Sequence, residues 1–248
     1  MRLSRHLTSL LLIAIAATLS ACAKSEIADK DVEVQKAETP TVTGQVQLLY
    51  MGQASIRIVT EQDKVIYIDP YAGRFDWYIP SADLILITHE HFDHTAVSKI
   101  ENRQPTCRII RAKDAVMDGE HQIFDFGYVT VEAVEAGYNR YHDVRQCAGY
   151  VLTFLNGKKV YVSGDTSTTQ QMSRMSEMNI DYAFLCTDGL YNMDNDEAAR
   201  VAELIGARHN IPYHNDTSNS GEMFDRDKAE RWNAPNKLVV MPGETIIL

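Results

Sequence analysis

Chemistry in this chain is concentrated in one heptapeptide, Thr88-His89-Glu90-His91-Phe92-Asp93-His94. Three imidazoles and a carboxylate within six residues form a metal-ligand set by composition, compatible with zinc, manganese or iron. The heptapeptide leaves the apolar run Asp83–Thr88, read as a buried strand, and enters a turn. In an extended segment residues i and i+2 project to the same side. His89 and His91 can therefore share one ion, while Glu90 points away and is given no role. Asp93 and His94 follow the turn, project differently and can hold a second ion. Water held between two cations becomes hydroxide near neutral pH, a nucleophile for carbonyl or phosphoryl centres.

The elements that must position this cluster read as one α/β domain over residues 45–248. Gln45–Tyr50 and Ser55–Thr60 alternate with the strand period, and Lys64–Ile68 is a short apolar run ending at Asp69-Pro70. Cys107–Arg111, Tyr128–Val134, Gly149–Leu155 and Lys159–Ser163 are further strand candidates. Asn156-Gly157 predicts a type I′ hairpin between the last two, a turn that needs positive φ at both central residues. Asp194, with Glu197 three residues on, predicts a helix start, and Gly206 its end, with Ala198, Val201, Ala202 and Ile205 on one face. Thr168–Met178 is a second helix candidate, its methionines core filler. Asp225–Trp232 reads as a helix and Lys237–Met241 as a last strand.

The order HxHxDH is the signature of the metallo-β-lactamase superfamily, and the resemblance extends beyond it. Met51-Gly52-Gln53-Ala54 with Ile66-Tyr67-Ile68-Asp69-Pro70 looks like the opening hairpin of the ascorbate-6-phosphate-lactonase-like branch. Gly149-Tyr150-Val151 through Val160–Thr166, Asp188-Gly189 and Ile211-Pro212-Tyr213-His214 resemble later segments of that branch, in the same order. The resemblance implies a four-layer αβ/βα sandwich with a two-metal site along one edge. Carried over by position, His89 and His91 would bind metal 1, and Asp93, His94 and His214 metal 2, with Asp165 bridging both. The third donor of metal 1 is left between His142 and Asn139, with His142 preferred. Asp93 and Asp165 take the catalytic roles, and Asp69 would anchor a ligand histidine. Gln53 stands where many relatives have His, which leaves the role of that His without a carrier.

The start of the chain points to export. Arg2 and Arg5 precede an apolar run, Leu7–Leu19, of about 13 residues, short of the roughly 20 that span a bilayer. Leu19-Ser20-Ala21-Cys22 resembles the bacterial lipobox. That implies a signal peptide over 1–21, lipidation of Cys22 and a flexible tether over 22–44, with the protein on the cell envelope, expected at the periplasmic face of the outer membrane. Export removes two arginines and no acid, so the formal charge of −10 becomes −12. Cys107, Cys147 and Cys186 remain and read as buried free thiols, a Cys107–Cys147 disulfide being the minor alternative.

With 248 residues, 45% hydrophobic and 23% charged, the chain can bury roughly 70% of its unfolded surface, which excludes collagen-like, coiled-coil and wholly disordered classes. The negative charge and the lack of a basic, aromatic-interleaved stretch argue against nucleic acid as a partner. The expected function is hydrolysis of a small-molecule or lipid-like ester, lactone, amide or phosphodiester with two divalent ions, zinc first. A non-catalytic metal-binding envelope module is the alternative from another class, and a β-lactamase the lesser enzymatic one. Oligomeric state and substrate identity are not encoded in any motif.

Overall fold

The apolar and alternating runs of the sequence pair into two large sheets in a computed structural model, which describes residues 34–36, 44–218, 221 and 223–248. These residues fall in one compact unit, Val32–Leu248. The signal segment, Cys22 and most of the expected tether lie outside the described residues.

In the first half of the chain, β1 (Val34–Lys36), β2 (Gln47–Gly52), β3 (Ser55–Val59), β4 (Val65–Ile68), β5 (Ala82–Leu86) and β6 (Arg103–Ile110) are followed by α1 (Ala112–Ala115) and a small hairpin, β7 (Val116–Met117) and β8 (Glu120–His121). Next come β9 (Ile123–Asp125), β10 (Val129–Glu135), β11 (Ala148–Phe154), β12 (Lys159–Val162) and β13 (Tyr182–Cys186). The chain ends with α2 (Asn195–Ile205), β14 (His209–Tyr213), α3 (Arg226–Arg231) and β15 (Glu244–Ile247). One sheet has the order β1-β15-β2-β3-β4-β5-β6, the other β14-β13-β12-β11-β10-β9. Both are mixed: β4, β5 and β6 run parallel, as do β12, β13 and β14.

Alternate residues of the first sheet serve two cores. Leu48, Tyr50, Ile56, Ile66 and Leu84 join Val131, Tyr150, Leu152, Val162 and Phe184 of the second sheet in one cluster. Leu49, Met51, Tyr67, Ile85 and Ile87 form a second cluster with Tyr78 and Ile100. Strands buried on both faces explain why the sequence shows continuous apolar runs there instead of clean alternation. On the second sheet, α2 buries Ala198, Val201, Ala202 and Ile205 in the main core. This is the α/β sandwich that the sequence leads one to expect.

Several local expectations are met and others are revised. Asp194 caps α2 by accepting from Glu197 N–H at 2.8 Å, and Gly206 ends it at φ 65°. The Glu197 side chain does not close a capping box; it accepts from Thr168 N–H and Oγ1–H. The β11–β12 hairpin forms, but only Gly157 has positive φ. Gly157 N–H donates to Phe154 O at 3.0 Å, so the turn is not type I′. Thr168–Met178 yields a 3₁₀ segment, Gln171–Met178, with Met172 and Met175 buried. The last strand is Glu244–Ile247, not Lys237–Met241, where one isolated bridge, Asn210 to Lys237, is formed. Val34–Lys36, within the expected tether, pairs with Glu244–Ile246. The three cysteines are free, Cys147 and Cys186 buried and Cys107 half-buried.

What the fold does for the site is a matter of strand ends. Asp69 follows β4 and the heptapeptide follows β5; Asp165, Asp188 and His214 follow β12, β13 and β14. The carboxyl ends of parallel strands from both sheets thus open onto one edge, joined by the β10–β11 loop that carries Asn139 and His142.

Candidate metal centre

Each strand end delivers its side chain through a forced turn. Gln53, Asp69, Tyr138 and His214 all hold positive φ, 43° to 61°, a region costly for residues with a Cβ and found where surroundings over-determine it. Gly164, at φ 61°, precedes Asp165. A Cβ there would stand 2.9 Å from Thr88 Cβ and 3.0 Å from Ala148 O, so only glycine lets β12 approach the β5 end this closely.

The side chains converge in three overlapping groups. His89, His91 and His142 form one, His89, His94 and Asp165 a second, and Asp93, His94 and His214 a third, the donor atoms of each lying within 4.8 Å of one another. Asp165 stands between the ends of the cluster. Its Oδ2 is 3.4 Å from His142 Nε2, and its Oδ1 lies 3.5 Å from His94 Nε2 and 3.3 Å from His214 Nε2. Asp93 Oδ2 is 3.6 Å from His214 Nε2. Among the described residues, His121 and His209 take no part in these groups, and Glu90 turns outward to accept from Arg111 at 2.7 Å.

In His89, His94 and His142 the outer ring nitrogen is fixed by a partner, which leaves the inner one with a lone pair. His94 Nδ1 meets Asp69 Oδ2 at 2.8 Å, so it carries the proton. Thr88 donates its hydroxyl to the same oxygen at 2.6 Å and its N–H to Asp69 Oδ1 at 2.8 Å. Having donated, Thr88 Oγ1 can accept from His89 Nδ1, 3.1 Å away. His142 Nδ1 lies 3.0 Å from Asn139 Oδ1, which also accepts from His142 N–H. His142 therefore sits beside His89 and His91, and Asn139 orients it from outside. Aiming an imidazole by hydrogen-bonding its far nitrogen is how metal-binding histidines are held.

These buried atoms have been left without partners in a manner that ordinary packing avoids. His89 Nε2, His94 Nε2, His142 Nε2, Asp165 Oδ1 and His214 Nδ1 are buried with no hydrogen bond. Unpaired buried polar groups are costly, and the first four point at one another's neighbourhood, as donors to a cation would. Burial, reinforced by neighbouring rings, pushes His89 well below its usual value, and burial also lowers His142. At His94 and His214 burial works the same way but is outweighed by Asp165 and its companion carboxylates, and His214 rises to about 9. Asp93 and Asp165 resist burial through the surrounding imidazoles and are held well below the usual carboxylate range. Without a cation, the carboxylates of Asp93 and Asp165 favour the protonated form of their neighbouring imidazoles, His214 above all.

A profile of the β-lactamase superfamily domain matches residues 47–214, which takes in every residue of the cluster. The chain belongs to the metallo-β-lactamase superfamily. Within it, a UPF0173 metal-dependent hydrolase of Methanoregula boonei is 30% identical over 187 residues, 69% of this chain and 83% of that protein. Another from Rubrobacter xylanophilus is 27% identical over 234 residues, 82% of this chain and 97% of its own. A crystal structure of a candidate metal-dependent hydrolase from Parabacteroides distasonis superposes with a TM-score of 0.64 at 26% identity, covering 84% of this chain and 99% of that one. This metallo-β-lactamase superfamily member is thus an enzyme of the metal-dependent hydrolase class, and its His/Asp cluster could bind metal.

Some of what surrounds the cluster carries no motif in the sequence. A cavity of about 370 Å³ opens over it, walled by Phe92, Tyr141 and Tyr191, with Asp216 and Thr217 also in its lining; Asp188 stands behind His214, its Oδ2 3.7 Å from His214 Nδ1. Tyr191 and Tyr141 sit on different loops, and nothing in their spacing pairs them; their rings meet edge to face at 5.1 Å. Gln53 is buried against the cluster. Its Nε2 donates to Asp93 Oδ2 at 3.0 Å and lies 3.1 Å from His214 Nε2.

Proposed function

We propose that the protein hydrolyses a small-molecule ester, lactone, amide or phosphodiester with two divalent ions, zinc first among them. The observation that carries this reading is the placement of Asp165, with one carboxylate oxygen toward His142 and the other toward His94 and His214. His89, His91 and His142 would hold one ion, Asp93, His94 and His214 the other, and Asp165 both. When bound, such ions acidify water and polarise the bond under attack. Asp93 lines the cavity, and its Oδ2, beside His214 Nε2 and fixed by Gln53 Nε2, would help to hold one ion and orient the attacking water. Asp69, Thr88 and Asn139 keep the imidazole lone pairs inward.

The test is elemental analysis of the mature chain, with Cys22→Ser to prevent lipidation, purified without chelator beside a His91→Ala/Asp165→Ala variant. Close to two ions per chain, lost in the variant, supports the reading. One weakly held ion, unchanged in the variant, sinks it and favours a binding module. The lipobox further leads us to propose that Cys22 is lipidated and anchors the domain to the envelope of a bacterium. Incorporation of labelled fatty acid, abolished by Cys22→Ser, is the expected result.

A further inference from the structure

Three features of the cavity bear on what enters it. First, its described lining contains no lysine or arginine, while Asp216 lies in the wall beyond the donor set; the Asp188 carboxylate is buried behind His214 and held by the Leu190, Tyr191 and Asn192 N–H groups. The nearby cations are committed elsewhere: Arg111 to Glu90, Arg145 to Asp143, and Lys228 to the Asp188 carbonyl. Arg140 lies over the Tyr141 ring at 4.4 Å and donates to its hydroxyl, outside the lining. Phosphate recognition ordinarily draws on arginine forks or lysine, and a carboxylate in the wall opposes it. Second, the wall is aromatic and open to solvent. Phe92 is 70% exposed, and Tyr141 and Tyr191 are 37% and 46% exposed. Exposed rings brought to one mouth from three separate loops offer faces to a flat apolar group. Third, about 370 Å³ is near the small end of ligand cavities, enough for a compact molecule and short of a phospholipid.

We propose that this cavity takes a compact, uncharged carbonyl substrate (an ester, lactone or amide) bearing an aromatic or similarly flat apolar group, and disfavours phosphate esters. The proposal rests on the hydrolase reading above and narrows it. Hydrolysis adds water across the acyl bond: the carbonyl carbon gains an oxygen, the leaving oxygen or nitrogen takes the proton, and no redox partner is needed.

The experiment compares 4-nitrophenyl butyrate with bis(4-nitrophenyl) phosphate on the zinc-loaded full chain, the Tyr141→Ala and Tyr191→Ala variants and the wild type side by side. The expected result is a kcat/KM at least about 100-fold higher for the neutral ester. Each tyrosine variant should raise its KM roughly three- to tenfold with kcat within about twofold, since ring contacts of this kind act in binding. Equal or better turnover of the phosphodiester, or an unchanged KM in both variants, overturns the proposal while leaving the hydrolase reading intact. If the two-metal protein cleaves neither compound, calorimetric titration with butyranilide, an uncharged aryl amide, decides the ligand class. Binding weakened by either tyrosine variant upholds the proposal, and no binding ends it.

Discussion

Asp69 lies outside the ligand set, yet it settles what two of the candidate donors present. Its carboxylate takes the His94 ring proton, the Thr88 hydroxyl and the Thr88 N–H, and through Thr88 it also sets His89. With 0% exposure, no water can replace it. Asp69→Ala should therefore lower metal affinity by about 10- to 100-fold and destabilise the chain by about 1–3 kcal/mol, because three buried donors lose their acceptor. Asp69→Asn keeps one acceptor oxygen, which serves either the Thr88 hydroxyl and His94 or the Thr88 N–H but not all three, and should fall between. Competition with a zinc chelator and urea unfolding of the metal-free forms check both numbers. Unchanged chelator competition in Asp69→Ala would show that the imidazoles are held by packing alone.

At the scale of elements, the same cluster depends on how closely two strand ends approach, and Gly164 is where this is decided. Gly164→Ala combines positive φ with a Cβ 2.9 Å from Thr88 Cβ, so the β12 end must retreat and carry Asp165 with it. We expect a loss of about 2 kcal/mol or more and a fall in metal content. Asp194→Ala, by contrast, removes the cap of α2 far along the chain from any donor. It should cost about 1 kcal/mol and leave metal content unchanged. Urea midpoints and elemental analysis of the two variants separate a site-forming turn from a merely stabilising one. The contrast also shows what a sequence can reveal. The heptapeptide is legible because its donors lie within six residues, and α2 because its cap, apolar face and terminal glycine are all local. Tyr182–Cys186, five apolar residues without alternation, gives no signal that separates a strand from a buried helical turn, although it forms β13, next to the edge strand β14 of the second sheet. The choice between His142 and Asn139 could not be made from spacing either. It depends on which side chain the β10–β11 loop aims inward, and that loop turns at Tyr138, whose positive φ no motif announces. Asn156-Gly157 marked a turn correctly but not its type, since Gly157 alone takes the left-handed conformation. The aromatic wall was missed because its members meet only after both sheets have formed.

For the molecule as a whole, the shared core between the sheets is unusual in how many ionisable hydroxyls and thiols it buries. Tyr150, Tyr161, Tyr213 and Cys186 lie within it, and Cys147 is buried elsewhere in the fold, all at 3% exposure or less. Burial pushes each of them upward: Cys147 to about 12, Cys186 and Tyr161 higher, and Tyr150 and Tyr213 well above the usual phenol value. Tyr67, in the second core, rises to about 12. In the unfolded chain these groups ionise near 9 for a thiol and 10 for a phenol. Above pH 9 the unfolded state therefore binds fewer protons than the folded one, and stability falls as pH rises. The contribution is complete below about pH 9 and is lost progressively through about pH 12. The urea midpoint of the metal-free chain should drop clearly between about pH 8 and pH 10.5. Tyr161 supplies the internal control, because its hydroxyl is buried without a hydrogen-bond partner. Tyr161→Phe removes a desolvated polar atom and keeps the ring, so it should be neutral or slightly stabilising at pH 8. It should also flatten the alkaline decline, because one fewer phenol then distinguishes the two states. A midpoint that stays level to pH 10.5, or a variant with the same slope as the wild type, would mean that these phenols ionise in the folded protein and that the core between the sheets admits water.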